Sequence, residues 1–131
     1  MQEKNVYEYA VIRLVPKVER AEFINIGVIL FCKSKKFLAT KWHLDEQRIK
    51  CLAPYMDIHI VRKQLESFEL ISKGVPGTGA IAQLDMPSRF RWLTAVRSSI
   101  LQAGPIHPGL GDHPEERLET LFQELVSMPL E

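Results

Sequence analysis

Twelve residues in the second half of the chain, RFRWLTAVRSSI (89–100), set Arg89, Arg91 and Arg97 beside Phe90 and Trp92. Guanidinium groups stack on aromatic rings and grip carboxylate or phosphate through two parallel hydrogen bonds, which an ammonium does poorly. Trp with Arg is also the composition of residues that dominate protein–protein contacts. The run therefore reads first as a contact for a partner protein, second as an internal network, and third as a platform for single-stranded nucleic acid. The charge balance orders these readings: 17 Lys and Arg against 16 Asp and Glu leave a net charge of +1. A nearly neutral chain has no strong general attraction to polyanions.

A second group, Arg20, Glu22 and Asn25, leads into FINIGVILFC, the most apolar stretch of the sequence. An asparagine there must find hydrogen-bond partners or cost roughly 1–3 kcal/mol. Either Asn25, Glu22 and an arginine satisfy one another, or they form an anion or carboxylate pocket with Arg13, which interrupts the apolar run VYEYAVIRLV. His107 is the third candidate, held in GPIHPGLGDHP by Pro105, Pro108 and Gly109. It could serve as a general base if Ser98 or Ser99 came within reach, although no GxSxG elbow is present; otherwise its ring packs on the neighbouring prolines. The four histidines, with Cys32 and Cys51, match no zinc-ligand spacing, so neither metal nor cofactor is expected. The loop GVPGTG lacks a following GK[ST] and comes after a helix, which argues against a phosphate cradle.

Charge is unevenly spread. Residues 1–50 hold ten basic against six acidic side chains, and 86–111 hold three arginines and no acid. From Asp112 to Glu131 six acids face Arg117 alone. This is either a basic surface for a ligand or an acidic tail that neutralises the basic segment.

The elements that must position these groups follow from periodicity. Val6–Val15 reads as a strand, and Phe23–Cys32 as a central strand covered on both faces. Gly27 marks a bulge or a close backbone approach in it, and its alternation puts Asn25 and Gly27 on one face. FLATKWH returns as a third strand of an antiparallel meander. Leu44–Leu52 is a short helix capped by Asp45. Asp57 caps a longer one with the stripe Ile58, Val61, Leu65, Phe68 and Ile71, and Gly74 ends it. Pro87 and Ser88 open another short helix with Phe90 and Leu93 inward. Ser98–Gln102 adds a fourth strand, GPIHPGLGDHP is too rich in Gly and Pro for regular structure, and an Asp112–Glu115 capping box opens the last helix. The expected fold is α+β: one domain over residues 1–131 with a mostly antiparallel sheet of about four strands, a meander of three plus one later strand, and helices packed on it. Its open edge suits a homodimer. The start MQEKNVYEYA has no hydrophobic signal core, no apolar run approaches the ~20 residues that span a bilayer, and both cysteines read as buried free thiols. A cytoplasmic protein without membrane contact is expected.

Two blocks, YEYAVIRLVPKVERAEFINIGVILF and SRFRWLTAVRSSILQAGPIHPGL, carry a resemblance to a family of small bacterial proteins, domain of unknown function 3037, from about Tyr7 to Leu125. The resemblance singles out Arg13, Pro16, Arg20, Glu22, Asn25 and Gly27 in the first block. In the second it singles out Phe90, Trp92, Arg97, Ser98, Gln102, Pro105, His107, Pro108 and Gly109. Val96 departs from it, standing where proline is common. It implies no activity; genomic association with kinase-like proteins of the toxin–antitoxin type implies an accessory or regulatory role. The leading expectation is a non-enzymatic module that binds a partner protein through Arg89, Arg91, Trp92 and Arg97, with His107 and the Arg20–Glu22–Asn25 group shaping a pocket. The alternatives are an enzyme or binder for a phosphate- or carboxylate-bearing ligand, with His107 as acid or base, and a nucleic-acid-binding accessory factor. All of them require these side chains to edge one shared hollow.

Overall fold

The computed structural model describes residues 5–95 and 99–127. Its strands are β1 (Val6–Leu14), β2 (Ile24–Cys32), β3 (Phe37–Trp42), β4 (Leu101–Ala103) and β5 (His107–Leu110). Its α-helices are α1 (Glu46–Leu52), α2 (Ile58–Lys73), α3 (Met86–Thr94) and α4 (Pro114–Leu125). The fold is α+β, with all five strands in one antiparallel sheet. Strands β3, β2 and β1 form the expected meander. β4 and β5 share the remaining edge of β1: β4 pairs with Ile12–Leu14 and β5 with Val6–Tyr9.

The fourth strand position is thus filled by two short pieces. His107–Leu110, which its Gly and Pro content marks as irregular, is a strand because an edge position tolerates a missing N–H at Pro108. Gly109 belongs there for a steric reason: a β-carbon on it would lie 2.2 Å from Tyr7 Cζ. The Tyr7 ring therefore uses the space that a side chain would fill.

Each face of the sheet has its own core. Ala10, Ile12, Leu14, Ile26, Ile29, Phe31 and Leu38 pack under α1, α2 and α3 against Ile49, Val61, Leu65, Phe90 and Leu93. Burying such a side chain stabilises a fold by about 1.5–3 kcal/mol. On the other face Tyr7, Val28, Leu30 and Cys32 meet Leu118, Leu121, Phe122 and Val126 of the α4 segment. Asp45 and Asp57 cap α1 and α2 as their positions predict, accepting from the Arg48 and His59 amides. Gly74 ends α2 in the left-handed conformation, φ 64°. The Asp112–Glu115 box does not form: His113 holds the cap position without a side-chain bond, and Asp112 accepts from Asn5 Nδ2 at 3.2 Å. Cys32 is buried as expected, whereas Cys51 is exposed.

Gly27 shows both features its position suggested. The β1–β2 register slips between Ile12 and Arg13, so Ile12 pairs with Gly27 and Arg13 with Asn25, leaving Ile26 as the extra residue of a bulge. A β-carbon at Gly27 would stand 2.9 Å from the Lys41 carbonyl oxygen and 2.9 Å from Trp42 Cβ. The bulge also overturns simple alternation: Gly27 faces the α2 side while Asn25 joins Arg13 on the α4 side. Gly27→Ala should therefore lower stability by about 1–3 kcal/mol, measured as a shift of the urea midpoint. An unchanged midpoint would show that β3 can retreat without cost.

Candidate functional site

Three arginines flagged by the sequence have three different surroundings. Arg89, on α3, is buried, 8% exposed, and its Nε finds no hydrogen-bond partner. Its guanidinium lies over the end of α2, where a β-carbon on Gly74 would come within 2.0 Å of it. The carbonyl end of a helix carries partial negative charge, so a cation there is favourable. Gly74 is needed twice, for its positive φ and for the room it leaves. Arg91 is exposed and donates to Ser88 Oγ at 3.3 Å. Arg20 is exposed and pairs with Glu22, whose carboxylate accepts from it and pushes its pKa further up. Such an exposed pair adds little stability. These two residues sit beside Pro16, Lys17, Leu52 and Tyr55.

Asn25 meets neither Arg20 nor Glu22. Its Nδ2 donates to the Leu125 carbonyl at 3.1 Å, and Arg48 reaches the Val126 carbonyl at 3.4 Å. Together they hold the C-terminal end of α4, one by a hydrogen bond to an open carbonyl and the other also by its charge. Around them lies a cleft of about 340 Å³ that His43, Asp45 and Phe122 also line. Sequence reasoning missed this polar group because His43, Asp45 and Arg48 read as a strand end and an ordinary short helix. Among the described residues the acidic segment makes no ion pair with Arg89 or Arg91; Glu119 pairs instead with Lys41 on β3. Bonds from Lys41 and Gln123 hold the Glu119 carboxyl below its ordinary range.

Arg13 is different. It lies on the α4 side of β1, in register with Asn25 on β2 and Gln102 on β4, so these three side chains cross the sheet in one row. Gln102 turns away and donates to the Ser99 carbonyl at 3.0 Å. The Arg13 guanidinium stacks on the Phe23 ring, 4.2 Å from its centroid, a favourable cation–π distance. It also presses on the Gly104 backbone, where a β-carbon would lie 3.0 Å from Cζ. Its Nε is buried without a hydrogen-bond partner, and among the described residues it makes no ion pair. The guanidinium borders a cleft of about 410 Å³ at the sheet edge, where the chain leaves β4 and enters β5; Thr94, Ala103, Gly104, Pro105 and Ile106 line the rest.

His107 sits farther along the same side of the sheet, opposite Tyr9, with the two rings 5.3 Å apart. It is exposed, and its contact is this aromatic face. Ser99 donates its hydroxyl to the Leu101 carbonyl at 2.5 Å, so it is not aligned as a nucleophile for His107. Trp92, 37% exposed, lines a separate cleft between α2 and β4 with Phe68, Ile71 and Leu101. Arg97 and Ser98 lie outside the described residues. The structure thus brings Arg13, Asn25, Gln102 and His107 to one side of the sheet and keeps Arg20, Glu22, Arg89, Arg91 and Trp92 elsewhere. One hollow shared by all of them does not exist among the described residues. Phe23 and Gly104, which fix the Arg13 group, were not singled out. Gly104 carried a usable signal, a glycine between two segments that flank one strand.

The helix carrying Arg89 is fixed at its start by Asp85, which accepts from the Ser88 amide at 2.9 Å. The bonds from Ser88, with smaller help from Arg91 and Arg89, hold the Asp85 carboxyl below its ordinary value. A depressed pKa stabilises the fold above the unfolded carboxylate pKa, and this contribution is lost as pH falls through the folded one. Asp85→Ala should therefore destabilise the protein at neutral pH, with the gap to wild type closing as pH drops below about 4. A gap that stays constant into acid, in chemical unfolding at each pH, would show that the carboxylate charge is irrelevant to the cap.

A family model described as "Protein of unknown function (DUF3037)" matches residues 9–126. No curated protein and no solved structure matches the chain.

Proposed function

Because the chain belongs to the DUF3037 family, which carries no assigned activity, its role has to come from its own surfaces, and we propose that it is a non-enzymatic binding module that regulates or scaffolds a partner protein. The observation that supports this is the uneven cover of the sheet. α4 lies over β2 and β3, while Tyr9, Val11 and Arg13 on β1 stay partly exposed and His107 beyond them is open. Phe23 (46%), Ile106 (43%) and Leu110 (62%) are exposed around this region and along β5. Aromatic and aliphatic side chains grouped with an arginine at a sheet edge form the composition of a protein contact. The α3 surface contributes less than the sequence suggested, since Arg89 is turned inward to α2.

The kinase-like proteins that accompany the family by genomic association are the first partners to try. Wild-type protein should retain its partner in a pull-down, Ile106→Asp and Arg13→Ala should each lose most of it, and Arg20→Ala should behave as wild type. Loss on Arg91→Ala or Trp92→Ala with Arg13→Ala unaffected would move the contact to α3 and overturn this placement. A turnover abolished by His107→Ala would instead establish an enzyme.

A further inference from the structure

The Arg13 cleft has a chemistry that narrows what the partner must offer. Its walls are Ala103, Gly104, Pro105 and Ile106, with Thr94 as the other polar side chain. Thr94 is buried and already donates its hydroxyl to the Phe90 carbonyl at 2.8 Å. Among the described residues the cleft therefore presents one guanidinium set in apolar surroundings. Phe23 and Gly104 hold that guanidinium from outside its hydrogen-bonding edge, with no carboxylate among the described residues to neutralise it. A buried or half-buried guanidinium without a counter-ion forgoes strong charge-assisted bonds and leaves a desolvation cost unmet. A matching monoanion would regain both.

Resting on the reading of the chain as a partner-binding module, we infer that this cleft takes a carboxylate carried beside an apolar side chain on an extended segment of the partner protein. A carboxylate fits one planar fork through two bonds. A phosphate, with more charge and more acceptors, calls for more donors than the described lining residues supply. The apolar walls and the exposed Ile106 and Phe23 at the rim suit an aliphatic neighbour of the acid. An extended segment is the form that the site can add to: β5 pairs with β1 alone among the described strands, so its outer edge has open backbone groups beside Ile106.

The test is a titration of the whole protein followed at the Arg13 Nε–Hε resonance. The probes are the capped peptide acetyl-Ala-Val-Glu-Leu-Val-amide, its Gln counterpart, sodium acetate and inorganic phosphate. The Glu peptide should shift the Arg13 and Ile106 signals saturably, and the Gln peptide should bind on the order of tenfold more weakly or worse. Arg13→Gln should erase that preference while its spectrum keeps the dispersion of a folded chain, and Arg13→Lys should retain part of it. Equal binding of the two peptides, or no shift at Arg13 with either, overturns the site. Phosphate saturating below the peptide concentration overturns the ligand class, and acetate doing so overturns the peptide source. If the Glu peptide binds but no partner protein is ever captured, the regulatory reading falls and the carboxylate site stands. If the partner is captured equally by wild type and Arg13→Gln, the site falls and the partner reading stands.

Discussion

The pairing of β1 on both of its edges is the constraint on which the rest of the structure depends. One edge carries β2, and the other is divided between β4 and β5. The division leaves a gap at Gly104–Ile106, where the chain stays tied by the Gly104 amide to the Val11 carbonyl at 2.8 Å. On the α2 side, Ala10, Ile12 and Leu14 are sealed by helices. On the other side α4 covers the β2–β3 half, held at its end by Asn25 and Arg48. The half-covered face and the gap in its edge together make the Arg13 cleft.

Arginine serves three purposes here, and the surroundings decide which. Arg89 is buried where a helix end supplies partial negative charge, which offsets the cost of leaving water. Arg20 meets a carboxylate in solvent, where the attraction is screened and brief. Arg13 has an aromatic ring and a glycine backbone but, among the described residues, no anion. Only the last arrangement leaves a binding edge unspent. The same residue type therefore carries no fixed meaning until its neighbours are known.

Most of the fold was legible because local signals agreed with each other. The meander, the Asp45 and Asp57 caps, the Gly74 stop and the apolar stripe of α2 all follow from periodicity and capping chemistry that act within a few residues. What could not be read depends on contacts between distant segments. Pro108 and Gly109 argue against a strand until Tyr7 is seen lying on Gly109. Alternation places Asn25 beside Gly27 until the bulge at Ile26 turns them to opposite faces. Asp112 looks like a cap until Asn5 claims it. The candidate site shares this character: Arg13 stood out by type and position, but its surroundings depend on Phe23, ten residues away, and on Gly104 in another strand's margin.

The Arg13 guanidinium is held by a ring and a backbone, with no carboxylate against it among the described residues. Nuclear magnetic resonance of the free protein tests it directly. Nuclear Overhauser contacts are expected from Arg13 Hε to the Phe23 ring and to the Gly104 α-protons, with no scalar coupling from the guanidinium nitrogens to any side-chain carboxyl carbon. A coupling to an Asp or Glu carboxyl, or the absence of both contacts, would show the cation already paired or swung away, and the cleft without a free guanidinium.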